Sequence, residues 1–364
     1  NSGNNNSGNN GASNVGGNTS STENGGGTTA NSNEILLVTN PSKKDWLLGQ
    51  IDGFNAQNNG RYRIVTKLVA TREAMHDILT GKLKPAIWAA SSTVWPTRLT
   101  QVWQQKNGKA LVDANDPASY RVFFRSPLVF LTSKQKAASL RPVLGGSQAW
   151  SNLRASNGKW KFAHSDPLTA NSGMMTLGLV MANYADQTAQ GDLNQVATSA
   201  KFRTFMQQMS RGLVYDLPAE AGTSALTKAF AKDPNRYDFI TTYESNALEV
   251  AQANPQLAVI YPNPTVVSET VGALINGDWL SDTQREGAKA FLQYLGTEDA
   301  LRQGLKSHFR PTQASGTLSL SNELSQMRGQ GFQQSFSSIE LPPYEALNSA
   351  AFQWRTYVAR KPAQ

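Results

Sequence analysis

The 364-residue chain contains no cysteine, so neither a disulfide framework nor a thiolate metal site can form. Histidine is nearly as scarce: His76, His164 and His308 stand far apart, and no ligand spacing typical of zinc occurs. Charged residues make up 16% of the chain, and the net excess of +8 is dispersed. Without a basic run interleaved with aromatics, nothing points to a nucleic-acid partner. No apolar run approaches the ~20 residues of a membrane-spanning helix. Also missing are a G-x-S-x-G elbow, a P-loop and a G-x-G-x-x-G fingerprint. His164-Ser165-Asp166 holds the residue types of a catalytic triad, but three sequence neighbours do not make an acid–base–nucleophile relay. The expectation is a protein that is not an enzyme and carries no cofactor or metal, with a hydrolase as the least favoured reading.

Residues 1–33 are of a different material: eleven Asn, eight Gly, six Ser and four Thr, with Glu23 the single charge. Such a segment buries too little apolar area to offset its ordering entropy, so a disordered tether is expected, spanning roughly 30 Å as a flexible coil. A polar spacer of this kind suits a chain anchored through a lipidated residue upstream of Asn1.

From Glu34 a βα rhythm sets in. Residues 35–39 (ILLVT), 62–69 (YRIVTKLV) and 85–90 (PAIWAA) read as strands, with helices at 46–58, 71–79 and from 94 onward. Strands separated by helices imply crossovers and a mostly parallel sheet. Residues 120–132 (YRVFFRSPLVFLT) form a longer β-prone run, suited to leave one sheet and enter another. Helices are expected at 148–155, 192–208, 223–231, 247–253, 281–295 and from Pro342 through Trp354. Strands are expected at 237–243 and at 257–261 (LAVIY), the second crossing. Residues 312–338 read as loop with a helical turn.

The chain is organised around residues 162–184, where a short strand turns through Ser165-Asp166-Pro167 and Asn171-Ser172-Gly173 opens an apolar helix. Asn and Ser there read as helix caps. An uncluttered, polar N-terminus on a buried helix suits a polar or anionic group. Asn40-Pro41-Ser42, Ser91-Ser92-Thr93 and Glu244-Ser245 repeat the construction of strand, small polar residue and helix. In open α/β sheets such junctions lie at the carboxyl ends of strands, where ligands bind. Trp46, Trp88 and Trp95 stand beside the first two junctions, where aromatic faces would also suit sugars or cations; core packing is favoured for Trp88.

These junctions, together with ILLVTNPSKKDW, IWAASSTVW, RSPLVFLTSK, SDPLTANSG, ITTYESNALEVAQ and DTQREGAKAFLQYL followed by FRP, resemble the extracellular (periplasmic) solute-binding proteins of ABC transporters in order and spacing. The resemblance covers residues 34 to about 313. It implies an α/β fold of two Rossmann-like lobes with mixed sheets joined by two crossing strands, as in type II periplasmic binding proteins. Lobe I would comprise residues 34–124 and 263–364, and lobe II residues 125–262. The implied function is capture of a small polar or anionic solute between the lobes, in the periplasm or at the cell surface, by a monomer that delivers it to a transporter permease. A surface-tethered sensor or adhesion module with the same body is the alternative. The candidate ligand residues are Asn40, Ser42, Ser91, Ser92, Asn171, Ser172, Tyr243 and Ser245, joined by Trp46, Trp95, Ser126, Asp166 and Glu244. The solute itself stays open among anion, zwitterion, amine and sugar.

Overall fold

Short β-branched runs alternating with helical repeats give one mixed sheet whose strands meet on a single long member. The structure is a computed structural model and describes residues 33–216, 222–312, 318–320 and 322–359. All but Asn33 of the tether expected over residues 1–33 lies outside the described residues. Strands β1 (Glu34–Thr39), β2 (Arg63–Leu68) and β3 (Ile87–Ala89) are parallel, with β1 between the other two. Parallel neighbours require crossovers, supplied by helices α1 (Lys44–Asn58), α2 (Thr71–Leu79) and α3 (Val94–Asn107). Next come β4 (Tyr120–Ser133), α4 (Lys134–Leu144), α5 (Ala149–Ala155), β5 (Phe162–Ala163), α6 (Asn171–Gln187), α7 (Leu193–Thr198), α8 (Ala200–Met209) and α9 (Thr223–Lys232). The remainder is β6 (Phe239–Tyr243), α10 (Glu244–Ala253), β7 (Leu257–Ile260), β8 (Val267–Leu274), α11 (Asp282–Leu295), α12 (Glu298–Lys306), β9 (Arg310–Pro311), α13 (Asn322–Gln326) and α14 (Tyr344–Tyr357).

β4 carries the architecture. Its first part, 120–127, pairs antiparallel with β8, which in turn pairs with β3; its later residues pair with β6 and β7. The long β-prone run therefore passes from one group of strands to another. The return follows β7, which pairs only with the later part of β4, through residues 261–266 into β8. β8 was not among the expected strands, nor was α4 among the expected helices. The helix expected over 192–208 is two, because Ser199 interrupts it and caps α8 by accepting from the Phe202 N–H at 3.1 Å.

Apolar side chains fill both faces. One cluster sets Trp46, Phe54, Phe124 and Ile87 against Phe291 and Leu292 of α11. Another gathers Phe130, Trp150, Phe202 and the methionines of α6. The closing helix α14, assigned from the sequence to the lobe of β1 to β3, lies mainly on α6, α7 and α8, with a lighter contact to α3. Trp354 explains the preference, since it is wholly buried in the cluster built on α6.

Candidate functional site

The carboxyl ends of β1, β2, β3 and β6 converge on one cavity of about 430 Å³. From one side it is lined by Asn40 and Ser42 after β1, by residues 68–71 after β2 and by Ser91 after β3. From the other come Asn171 at the start of α6, Thr223 and Ser224 at the start of α9, and Tyr243 at the end of β6. This is the location expected for a ligand in an open α/β sheet.

Hydrogen bonds fix the lining. Asn40 Nδ2 donates to Ser91 Oγ at 2.6 Å, and its Oδ1 accepts from the Ser42 N–H at 3.0 Å. Asn171 is the junction of both sides: its Oδ1 accepts from Trp95 Nε1 at 2.7 Å, while Nδ2 donates to Tyr243 Oη at 2.9 Å and to the Ser91 carbonyl at 3.4 Å. Behind it, Gly173 permits a close chain approach, because a Cβ there would lie 2.0 Å from the Ser165 carbonyl oxygen.

Three helices end at this cavity without a side-chain cap. The N-caps of α2, α6 and α9 are Ala70, Ala170 and Gly222, and none makes a capping bond. All three residues line the cavity. Helix α10, whose N-cap Tyr243 also lines the cavity, differs in that its Ser245 N–H donates to Ser126 Oγ at 2.9 Å. The first N–H groups of a helix lack intrahelical partners, and the helix dipole makes that end positive. Asn171 and Ser172, expected as caps, instead sit inside the first turn of α6 and spend their side chains elsewhere. Among the described residues of the lining, only Glu73, which is exposed, and Tyr243 are ionisable. Burial pushes the Tyr243 phenol up, so it stays protonated and retains a proton to donate.

Of the residues singled out in the sequence, Asn40, Ser42, Ser91, Asn171 and Tyr243 thus line the cavity, and the others do not. Trp46 packs on Phe124 at 4.7 Å in the core and donates to the Ala300 carbonyl at 2.9 Å. Trp95 is buried and acts on Asn171. Ser92 is wholly buried and accepts from the Val94 N–H at 3.3 Å. Ser126 and Ser245 bond to each other, Oγ to Oγ at 3.2 Å. Ser172 bonds Thr223 Oγ1 at 2.7 Å and also Ser165. Asp166 is held by Tyr215 at 2.6 Å and by an ion pair with Arg355. Glu244 is bound by Arg310 and Tyr261.

With Asp166 so engaged and His164 Nδ1 directed at the Ser165 carbonyl, no relay links His164, Ser165 and Asp166. Sequence reasoning missed Ala70, Thr71, Gly222, Thr223 and Ser224. Their signal was the Gly-Thr-Ser and Ala-Thr starts of α9 and α2, where Thr and Ser stand at a helix N-terminus as Ser and Asn do at the four junctions.

The family model of bacterial extracellular solute-binding proteins matches residues 35–310. Among solved structures the chain is similar to a periplasmic thiamin binding protein, with 14% identity, a TM-score of 0.65, and 90% of this chain and 96% of that one covered. It is similar to iron-bound HitA from Pseudomonas aeruginosa at 10% identity and a TM-score of 0.63, with 89% and 99% covered. The sulfate-binding protein SubI from Mycobacterium tuberculosis shares 18% identity at a TM-score of 0.58, with 90% and 98% covered. No curated protein matches the sequence. At such identities the likeness shows the fold, a mixed α/β architecture of the type II periplasmic binding kind. Among the described residues no helix is long and apolar enough to cross a membrane, and no group of His, Asp and Glu is arranged to hold a metal.

Proposed function

The chain belongs to the bacterial extracellular solute-binding protein family, and we propose that it captures a small anionic solute in the cavity at Asn40, Ser91, Asn171 and Tyr243 for delivery to an ABC transporter permease. Capture takes place in the periplasm or at the cell surface, by a monomer. We assign the lobes as residues 34–124 with 263–364, and 125–262. Within that division α14 belongs by sequence to the first lobe yet rests on helices of the second.

The observation that carries the reading is the set of three uncapped helix N-termini, at Ala70, Ala170 and Gly222, turned to one cavity. Orphan N–H donors, the positive ends of helix dipoles and the hydroxyls of Ser42, Ser91, Thr223 and Ser224 suit an anion that accepts many hydrogen bonds. Among the described lining residues an amine would find a single carboxylate, the exposed Glu73. Among the same residues a sugar would find a single aromatic ring, Tyr243, which already carries Lys43 Nζ at 5.3 Å, while Trp46 and Trp95 are engaged elsewhere.

The test is a thermal-shift screen on protein unfolded and refolded to strip carried-over solute. Oxyanions such as sulfate, phosphate and molybdate are compared with carboxylates, amino acids, polyamines and sugars. A specific anion at about 100 times its Kd stabilises by about 2.7 kcal/mol. A shift produced by polyamines or sugars alone would overturn the anion reading while leaving a solute-binding role in place.

A further inference from the structure

One buried charge near the cavity has no counter-charge in contact. Lys43 follows Ser42 in the turn after β1, and it is only 2% exposed. Its Nζ lies 5.3 Å from the ring centre of Tyr243 and 5.1 Å from that of Phe309. Among the described residues the ammonium forms no ion pair. Two ring faces stabilise a cation, but they do not replace the water or carboxylate that a buried ammonium normally requires. Tyr243 and Ser42, the chain neighbour of Lys43, both line the cavity, so the ring beside the cation is part of the cavity wall.

We propose that Lys43 supplies the counter-charge of the bound anion from behind Tyr243, and that solute capture is thereby coupled to proton uptake. The proposal rests on the anion reading of the cavity. Burial is the main influence on the ammonium and lowers its pKa to about 7; Glu269 on β8 acts in the opposite sense but more weakly. Glu269 is itself engaged with the Thr93 N–H at 3.1 Å. Among the described residues the other groups around Lys43 form no ion pair with it. Tyr243 of β6 is a protonated phenol. Glu244 and Arg310, which adjoin Tyr243 and Phe309 in the chain, are paired with each other, and His308 precedes Phe309. The first turn of α9 brings only Thr223, Ser224 and Ala225.

The sign follows from linkage. An anion in the cavity favours the charged form of Lys43 and raises its pKa, so protonation must strengthen anion binding by the same factor. Affinity is therefore full below about pH 7, where the empty protein is already protonated, and falls as pH rises above that value. Opposite charges within about 10 Å of each other in a medium of effective dielectric near 20 interact strongly enough for a change of about tenfold or more.

Sulfate is the probe, because its own charge is constant from about pH 6 to about pH 9. Titration calorimetry in buffers of different ionisation enthalpy reads affinity and proton uptake together. The expected result is a Kd that rises about tenfold across this range, with net proton uptake near neutrality. Lys43→Met keeps the packing stem and removes the charge; it should bind about tenfold more weakly at low pH, lose the pH dependence and melt no lower than the parent. If that variant fails to fold, Glu269→Gln serves, and the fall in affinity should move to lower pH. Wild-type sulfate binding that does not vary with pH, or wild-type affinity in Lys43→Met, overturns the coupling and leaves the anion site intact. Failure of sulfate, phosphate and molybdate alike overturns both.

Discussion

Arg310 grips Glu244 with two hydrogen bonds, Nε to Oε1 at 2.7 Å and Nη2 to Oε2 at 2.6 Å. The guanidinium is 5% exposed and the carboxylate fully buried. Arg310 also lies 4.8 Å from the ring centres of both Phe332 and Phe336, and Nη1 donates to the Gln334 carbonyl at 2.8 Å. The pair thus joins β9, the start of α10 and the segment at 332–336. Glu244, which adjoins the cavity residue Tyr243 in sequence, is structural for this reason.

Breaking the pair from one side should be far worse than removing it. Arg310→Met leaves Glu244 buried and unpaired, at an expected cost of about 3 to 5 kcal/mol. Arg310→Met combined with Glu244→Leu should recover most of that loss. Urea unfolding of the single and double variants forms a cycle that measures the coupling. A single variant within about 1 kcal/mol of the parent would refute this placement of the pair.

Much of this fold was legible in the sequence. The first three βα units follow directly from apolar runs and helical spacing, and α2 occupies the expected residues 71–79. β8 escaped because Ser268, Glu269 and Thr270 interrupt its apolar character. Ser268 and Thr270 are nonetheless buried, and Ser268 donates to the Ser91 carbonyl at 2.8 Å. In the site, the hydroxyl-bearing junctions were visible, but hydroxyls already engaged look the same in sequence as those facing a solute. Ser91 and Ser172 read alike and differ only in three dimensions. Lys43 carried no signal, since nothing local reveals that a lysine after a strand turns inward.

Ser91 and Ser172 should therefore respond differently to alanine. Ser91 lines the cavity, whereas Ser172 is wholly buried against Thr223 and Ser165. Ser91→Ala is expected to weaken anion binding about tenfold, or 1.4 kcal/mol, and to lower stability by about 1 kcal/mol, because Asn40 Nδ2 loses its acceptor. Ser172→Ala should cost about 1 to 3 kcal/mol of stability, because its partners lose a buried bond, and leave affinity unchanged. The assignment fails if Ser172→Ala keeps its Tm and loses as much affinity as Ser91→Ala.

His164 predicts an acid-sensitive component of stability. The ring is 4% exposed, stacks obliquely on Trp354 at 5.2 Å, and leaves Nε2 without a partner. Burial lowers its pKa from 6.5 to about 4, against a weaker opposing effect from the Ser165 carbonyl. The unfolded chain takes up the proton first, so this contribution is complete above about pH 6.5 and is lost progressively as pH falls to about 4. Over that interval it amounts to about 3 kcal/mol. His164→Asn should be less sensitive to acid than the parent when unfolding free energies are compared at each pH. Parallel pH profiles would show that His164 contributes nothing.

The uncapped helix ends allow stability and function to be separated at one position. Ala70, the N-cap of α2, has an extended backbone (φ −59°, ψ 141°) and makes no side-chain capping bond. An aspartate there can accept from the first-turn N–H groups and complement the helix dipole, which should stabilise the protein by about 0.5 to 2 kcal/mol. It also occupies donors meant for the solute and sets a negative charge at the cavity. Ala70→Asp is therefore expected to melt higher and to bind an anion at least tenfold more weakly. Ala70→Ser, which caps without charge, should fall between Ala70→Asp and the parent in affinity. Binding and melting measured on the same preparations decide the matter: a higher Tm with unchanged affinity for the anion would mean that the N-terminus of α2 does not hold the solute.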